Sequence, residues 1–109
     1  MPERKLTILM ADNDAGRRAF ARDAFESMPV LFQFIVDGLH LSAYLLFHSM
    51  CDDGVCSPPD LILLNLCMPG WGEKEAFAAI QANSCLKSVP VVSYRNNEEV
   101  CALLYTVIL

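Results

Sequence analysis

The chain has 109 residues, 54% of them hydrophobic, with 13 acidic and 8 basic side chains and a formal charge of -5. That length admits one domain and the apolar content is ample for its core, while no Lys/Arg stripe offers the phosphate-neutralising surface that nucleic-acid binding needs. No segment approaches the ~18 apolar residues of a membrane span, and Met1–Lys5 leads into an apolar run too brief for a signal peptide, so a soluble cytoplasmic protein is expected.

Five cysteines, Cys51, Cys56, Cys67, Cys85 and Cys101, form an odd set without a C-x-x-C pair, which favours reduced thiols over a disulfide framework. His48, Cys51 and Cys56 supply three potential metal ligands but no recognisable fourth, so small buried hydrophobes are the expected role of these thiols.

In chain order, Leu6 to Ala11 reads as an apolar strand running into Asp12-Asn13-Asp14, where Asp14 is placed to cap the following helix. In that helix Phe20, Ala24, Phe25 and Met28 recur at spacings of three and four, which predicts one stripe packed on a sheet. Phe32 to Val36 is a second strand closed by the turn pair Asp37-Gly38. Leu39 to His48 is a second helix carrying Leu41, Tyr44, Leu45 and Leu46, with His40 and His48 expected to be solvated or partly packed. The loop from Ser49 to Pro59 is long enough to be mobile.

Leu61 to Leu66 is a continuous apolar run broken only by Asn65, the pattern of a strand buried on both faces. A polar side chain near the carboxyl end of such a strand lies where open α/β sheets place functional groups. Glu73 to Asn83 follows as a helix with Ala76, Phe77 and Ile80 at helical spacing and Glu73 and Glu75 favouring its dipole, and Val89 to Tyr94 is the fourth strand. This alternation predicts a parallel sheet covered by helices on both faces.

From Asn96 on, Val100, Leu103, Leu104, Val107 and Ile108 fit a helix over Glu98 to Ile108, with Asn96 and Glu99 in capping-box positions. The alternative is a strand hairpinned through Asn96-Asn97, because Tyr105 to Leu109 is rich in β-formers. No internal repeat or linker interrupts the chain.

The segment Pro-Asp-Leu-Ile-Leu-Leu-Asn-Leu-Cys-Met-Pro-Gly starting at Pro59 resembles the signature of receiver domains of two-component response regulators. Ile-Leu-Met-Ala-Asp-Asn-Asp, Phe-Ile-Val-Asp-Gly and Ser-Val-Pro-Val-Val extend the resemblance from Leu6 to about Glu99, and it is nearest to single-domain receivers that pair with phytochrome-type histidine kinases. It implies one receiver-like domain over residues 1–109 with a three-layer flavodoxin-like (CheY-like) α/β fold and strand order 2-1-3-4(-5). The family's fifth strand and last helix are expected to be missing or atypical, since the sequence stops at Leu109.

Receivers move a phosphoryl group from a histidine to an aspartate with the help of magnesium, an acidic pair, a hydroxyl and a lysine. Carried over by resemblance, the phospho-acceptor falls on Asn65 and the acidic pair on Asp12 and Asn13, leaving Asp12 alone to hold magnesium weakly. The hydroxyl falls on Arg95 counting forward from Pro90 or on Ser93 counting back from Glu98-Glu99, and the lysine has no counterpart. Trp71 stands near the family's Asp-Gly and is expected beside the site, filling the space of a metal and phosphate. Cys67 shares the crevice as a thiol without an identifiable base.

The expected function is that of a phosphorylation-incompetent, non-enzymatic signalling module that works by contact with a protein partner, a histidine kinase or an output protein, with no resident cofactor. The alternatives are an altered or truncated version of a functional phosphoacceptor and a flavodoxin-like or thiol redox protein. Against the last stands the lack of a phosphate-binding Gly/Ser/Thr loop after the first strand. A sheet ending at the fourth strand leaves the backbone of Val89, Val91, Val92 and Tyr94 open at an edge, so a homodimer through Val89–Leu109 is expected.

Overall fold

The computed structural model describes residues 6–50 and 57–108. Eight elements alternate: β1 (Leu6–Ala11), α1 (Ala15–Ala24), β2 (Val30–Ile35), α2 (Gly38–Ser49), β3 (Leu61–Asn65), α3 (Glu73–Ala82), β4 (Val91–Tyr94) and α4 (Asn97–Ile108). All strand pairs are parallel, in the order β2-β1-β3-β4. The two interior strands are those whose sequences are apolar without alternation: Ile8–Ala11 and Ile62–Leu64 are all buried, as strands covered on both faces require. β2, at one edge, alternates half-buried Phe32 and Phe34 with exposed Leu31 and Gln33.

The helices divide by crossover hand. The chain moves one way from β1 to β2 and the other way through β3 and β4, so right-handed crossovers place α1 on one face and α2 and α3 on the opposite one. Leu9, Ala11, Ile62 and Leu64 accordingly pack with Leu41, Leu45, Ala76 and Ile80, and Ile8, Met10 and Leu63 with Ala21 and Phe25. α4 returns to the α1 face, where Val100 (1% exposed) and Leu104 (3%) join Ala21, Phe25 and Tyr94. The carboxyl-terminal segment is therefore the helix that its periodicity predicts, within one residue at its start, and not the alternative strand.

Three details differ from the sequence pattern. Phe20 and Phe77 stand 46% and 44% exposed. From α1 into the turn after it, the stripe on the sheet runs through Ala21, Ala24, Phe25 and Met28, which turns Phe20 outward. His48 is buried, as the last of the row Leu41, Leu45, His48 that faces the core at spacings of four and three. Cys51, Cys56 and the middle of the loop from Ser49 to Pro59, with the metal and mobility expectations attached to them, lie outside the described residues.

Side-chain caps start three helices. Asp14 Oδ1 accepts from Arg17 N at 2.8 Å, Asp37 Oδ1 from His40 N at 2.8 Å, and Asn96 Oδ1 from Glu99 N at 2.9 Å. Glu99 completes a variant of the capping box by accepting from Arg95 N at 2.7 Å, one residue before the usual donor. Among the described residues, no helix is long and apolar enough to cross a membrane.

Candidate functional site

Asp12, Asn65 and Tyr94 stand at or just past the carboxyl ends of β1, β3 and β4, the side of an open parallel sheet where crevices form. Asn65 and Tyr94 are level in the parallel ladder, and Asp12 continues β1 by donating its N–H to Ile35 O at 2.9 Å. All three are buried.

Asp12 is the centre of the cluster. Its Oδ1 accepts from Asp14 N at 2.9 Å, Arg17 Nη2 at 3.1 Å and Asn65 Nδ2 at 3.2 Å. Its Oδ2 accepts from Arg17 Nε at 2.8 Å and the Tyr94 hydroxyl at 2.5 Å. Burial pushes the Asp12 carboxyl up, but the hydrogen bonds from Arg17, Tyr94 and the Asp14 N–H, with the charge of Arg17, outweigh it and hold the group below the ordinary aspartate value. The same bond raises the Arg17 pKa, and burial followed by the Asp12 bond raises that of Tyr94.

Asn65 is oriented by its own bonds. Its Oδ1 accepts from Cys67 N at 3.0 Å, and its Nδ2 donates to Asp12 Oδ1 and to Asn13 Oδ1 at 3.1 Å. The three residues assigned to acceptor and acidic pair are thus brought together. An amide fits because it supplies the donor that a carboxylate beside Asp12 lacks.

The other expected residues fall elsewhere. Ser93 is exposed on β4, and Arg95 is exposed with its backbone N–H on Glu99. The residue between them, Tyr94, reaches Asp12 instead. Trp71 is not the filler of the Asn65 pocket: its Nε1 donates to Gly38 O at 2.8 Å, and it packs against the start of α2 so closely that a Cβ on Gly38 would lie 2.6 Å from its ring. The turn leading to it needs Gly70, at φ +90. Cys67 is exposed and free.

Two members were absent from the sequence expectations. Tyr94 had a signal in its strand-end position beside Asn65. Arg17 had a clearer one, because a cation in the first turn of a helix opposes the helix dipole and needs a local anion to hold it. Arg17 Nη1 also donates to Asn97 Oδ1 at 3.0 Å, tying α1 to the start of α4, and Arg18 Nη1 donates to the Asp12 carbonyl at 2.8 Å.

Magnesium requires several hard oxygen ligands with free lone pairs. Here the one buried carboxylate already accepts five hydrogen bonds, two of them from a guanidinium, and its neighbours Asn13 and Asn65 are amides. Those residues do not fit a magnesium site. Among the described residues no group of three His, Cys, Asp or Glu is arranged to hold a metal.

This fold is the CheY-like receiver fold of two-component response regulators. Solved structures similar to the chain include the phosphorylated cyanobacterial phytochrome response regulator RcpA, at 27% identity and TM-score 0.68, over 94% of this chain and 75% of that one. The bacteriophytochrome response regulator RtBRR matches at 21% identity and TM-score 0.68, over 95% of this chain and 64% of that one. The chemotaxis response regulator CheY4 of Vibrio cholerae matches at 15% and 0.67, over 96% and 81%. No family model and no curated protein matches the sequence.

Proposed function

We propose that the chain is a receiver-like signalling module of a two-component system that works by protein contact and does not accept a phosphoryl group at Asn65. The observation that carries this reading is the direction of the Asn65 bonds: its nitrogen donates to Asp12 and Asn13. A delocalised amide is neutral and has no carboxylate oxygen with which to form an acyl phosphate.

Arg17 takes the electrostatic part that a divalent cation would have. It neutralises Asp12 from within the chain and joins β1, α1 and α4 through Asp12 and Asn97. The surface around this end of the sheet is then held in one arrangement, ready for a histidine kinase or an output protein, in the cytoplasm and without chemistry of its own. The expected self-association through Val89–Leu109 rests on β4 alone, an edge strand among the described residues, since Val100 and Leu104 are already buried within the chain, and a contact elsewhere on the molecule is better supported.

Incubation with acetyl phosphate and magnesium, followed by intact mass measurement, tests the reading. No phosphoryl adduct is expected on the wild-type chain, and calorimetric titration should find no magnesium site at millimolar concentration. Asn13→Asp with Asn65→Asp should restore metal affinity before phosphorylation. A stoichiometric, base-labile adduct on the wild-type protein would overturn the proposal.

A further inference from the structure

Helix α2 is apolar on two sides. Leu41, Leu45 and His48 face the core, while Leu39 (78% exposed), Leu46 (61%) and Met50 (76%), just past its end, face outward. With Ala43, also exposed, the outward set is spaced four, three and four, which is the seam by which one helix packs along another. A helix apolar all round belongs inside a larger core. The segment Gly38–Ser49 contains no Asp, Glu, Lys or Arg, so this seam has no charged residues to keep it in water.

We propose that the α2 seam is the contact between two copies of this chain, packed antiparallel about a two-fold axis. Three observations favour a second copy. The seam adjoins a groove of about 380 Å³ between α2 and α3, walled by Ser42, Leu46, Ser49, Ala79 and Ala82; ridge and groove thus lie on one helix pair, as an isologous contact requires. The chain is acidic overall at -5, and an uncharged helix lets two such chains meet without opposing like charges. The exposed stripe is on the order of 400 Å² per copy, so pairing buries roughly 800 Å² from the stripe alone, and the small-residue walls bring the total to the ~1,000 Å² of a specific interface. A negatively charged membrane is a poor alternative, because the helix carries no Lys or Arg to meet it.

Sedimentation velocity on the full chain from 1 to 100 µM tests this. The expected result is a monomer–dimer equilibrium that Leu46→Lys, and separately Leu39→Glu, weakens at least tenfold in Kd. Both residues are mostly exposed, so far-UV circular dichroism and the urea midpoint should stay near wild type. Ser93→Lys, at an exposed position on the β4 edge, should leave the equilibrium unchanged. A chain monomeric to 100 µM, or a dimer insensitive to Leu46→Lys, or one lost in Ser93→Lys, overturns the proposal. None of these outcomes bears on whether Asn65 takes a phosphoryl group, which the mass measurement decides separately.

Discussion

A buried carboxylate loses several kcal/mol of hydration unless donors replace the water it gives up. Asp12, with no exposed surface, has its replacement from one guanidinium, one phenol, one backbone N–H and one amide. Arg17 is the only full charge in that set and is partly exposed, at 21% of its side chain, so it is the member whose loss is felt most. Arg17→Met should cost about 1.5–3 kcal/mol in urea unfolding, the range for hydrogen bonds to charged groups, because the carboxylate stays buried while its counter-charge leaves. Adding Asp12→Asn removes the stranded charge, so the double variant should lose clearly less than the two single losses together. Simple additivity would mean that the pair does not act as a unit.

α4 shows the same dependence at the scale of an element. Its start is fixed by the Asn96 cap and the Arg17–Asn97 bond, and its apolar stripe is placed over Ala21, Phe25 and Tyr94. Leu104→Ala should therefore cost about 2–5 kcal/mol, as for other buried leucines, whereas Phe20→Ala, 46% exposed in the groove between α1 and α4, should cost about 1 kcal/mol or less. Equal losses in urea melts would contradict this placing of the two helices. Periodicity was enough to favour the right type for every element, because apolar runs and caps are local: β1 was legible to the residue, the strand-end position singled out Asn65, and the resemblance to receivers, not spacing, brought Asp12 and Asn13 to it. Which face α4 covers, and that Tyr94 rather than Ser93 or Arg95 enters the cluster, depend on non-local packing that neither spacing nor counting carries. The burial of His48 was hidden for a related reason, since α2 is apolar on both sides and its polar residues do not mark the outer face.

For the whole molecule, the displaced titrations predict how stability varies with pH. His48 sits in the core against Tyr44, ring centroids 4.4 Å apart, and its Nδ1 has no hydrogen-bond partner among the described residues. Burial alone lowers its pKa from the ordinary 6.5. Below that ordinary value the unfolded chain takes up a proton that the folded chain refuses, so stability falls as the pH drops, by at most about 1.4 kcal/mol per pH unit for one group. The lowered Asp12 value acts with the same sign further down: the stability it lends is complete above the ordinary aspartate value and is lost as the pH falls through the folded one. On the alkaline side the sign reverses. Burial pushes Tyr44 up to about 12 and Tyr94 higher still, so their contributions are complete below the ordinary tyrosine value of about 10 and are lost as the pH rises through the folded ones. Urea midpoints should form a plateau between about pH 7 and 10, with a first decline below 7 and a steeper one below 4. His48→Leu should remove the decline between pH 7 and 5 and leave the one below 4 in place. A wild-type midpoint that stays flat down to pH 5 would mean that His48 is protonated in the fold, and its placement in the core would then be wrong.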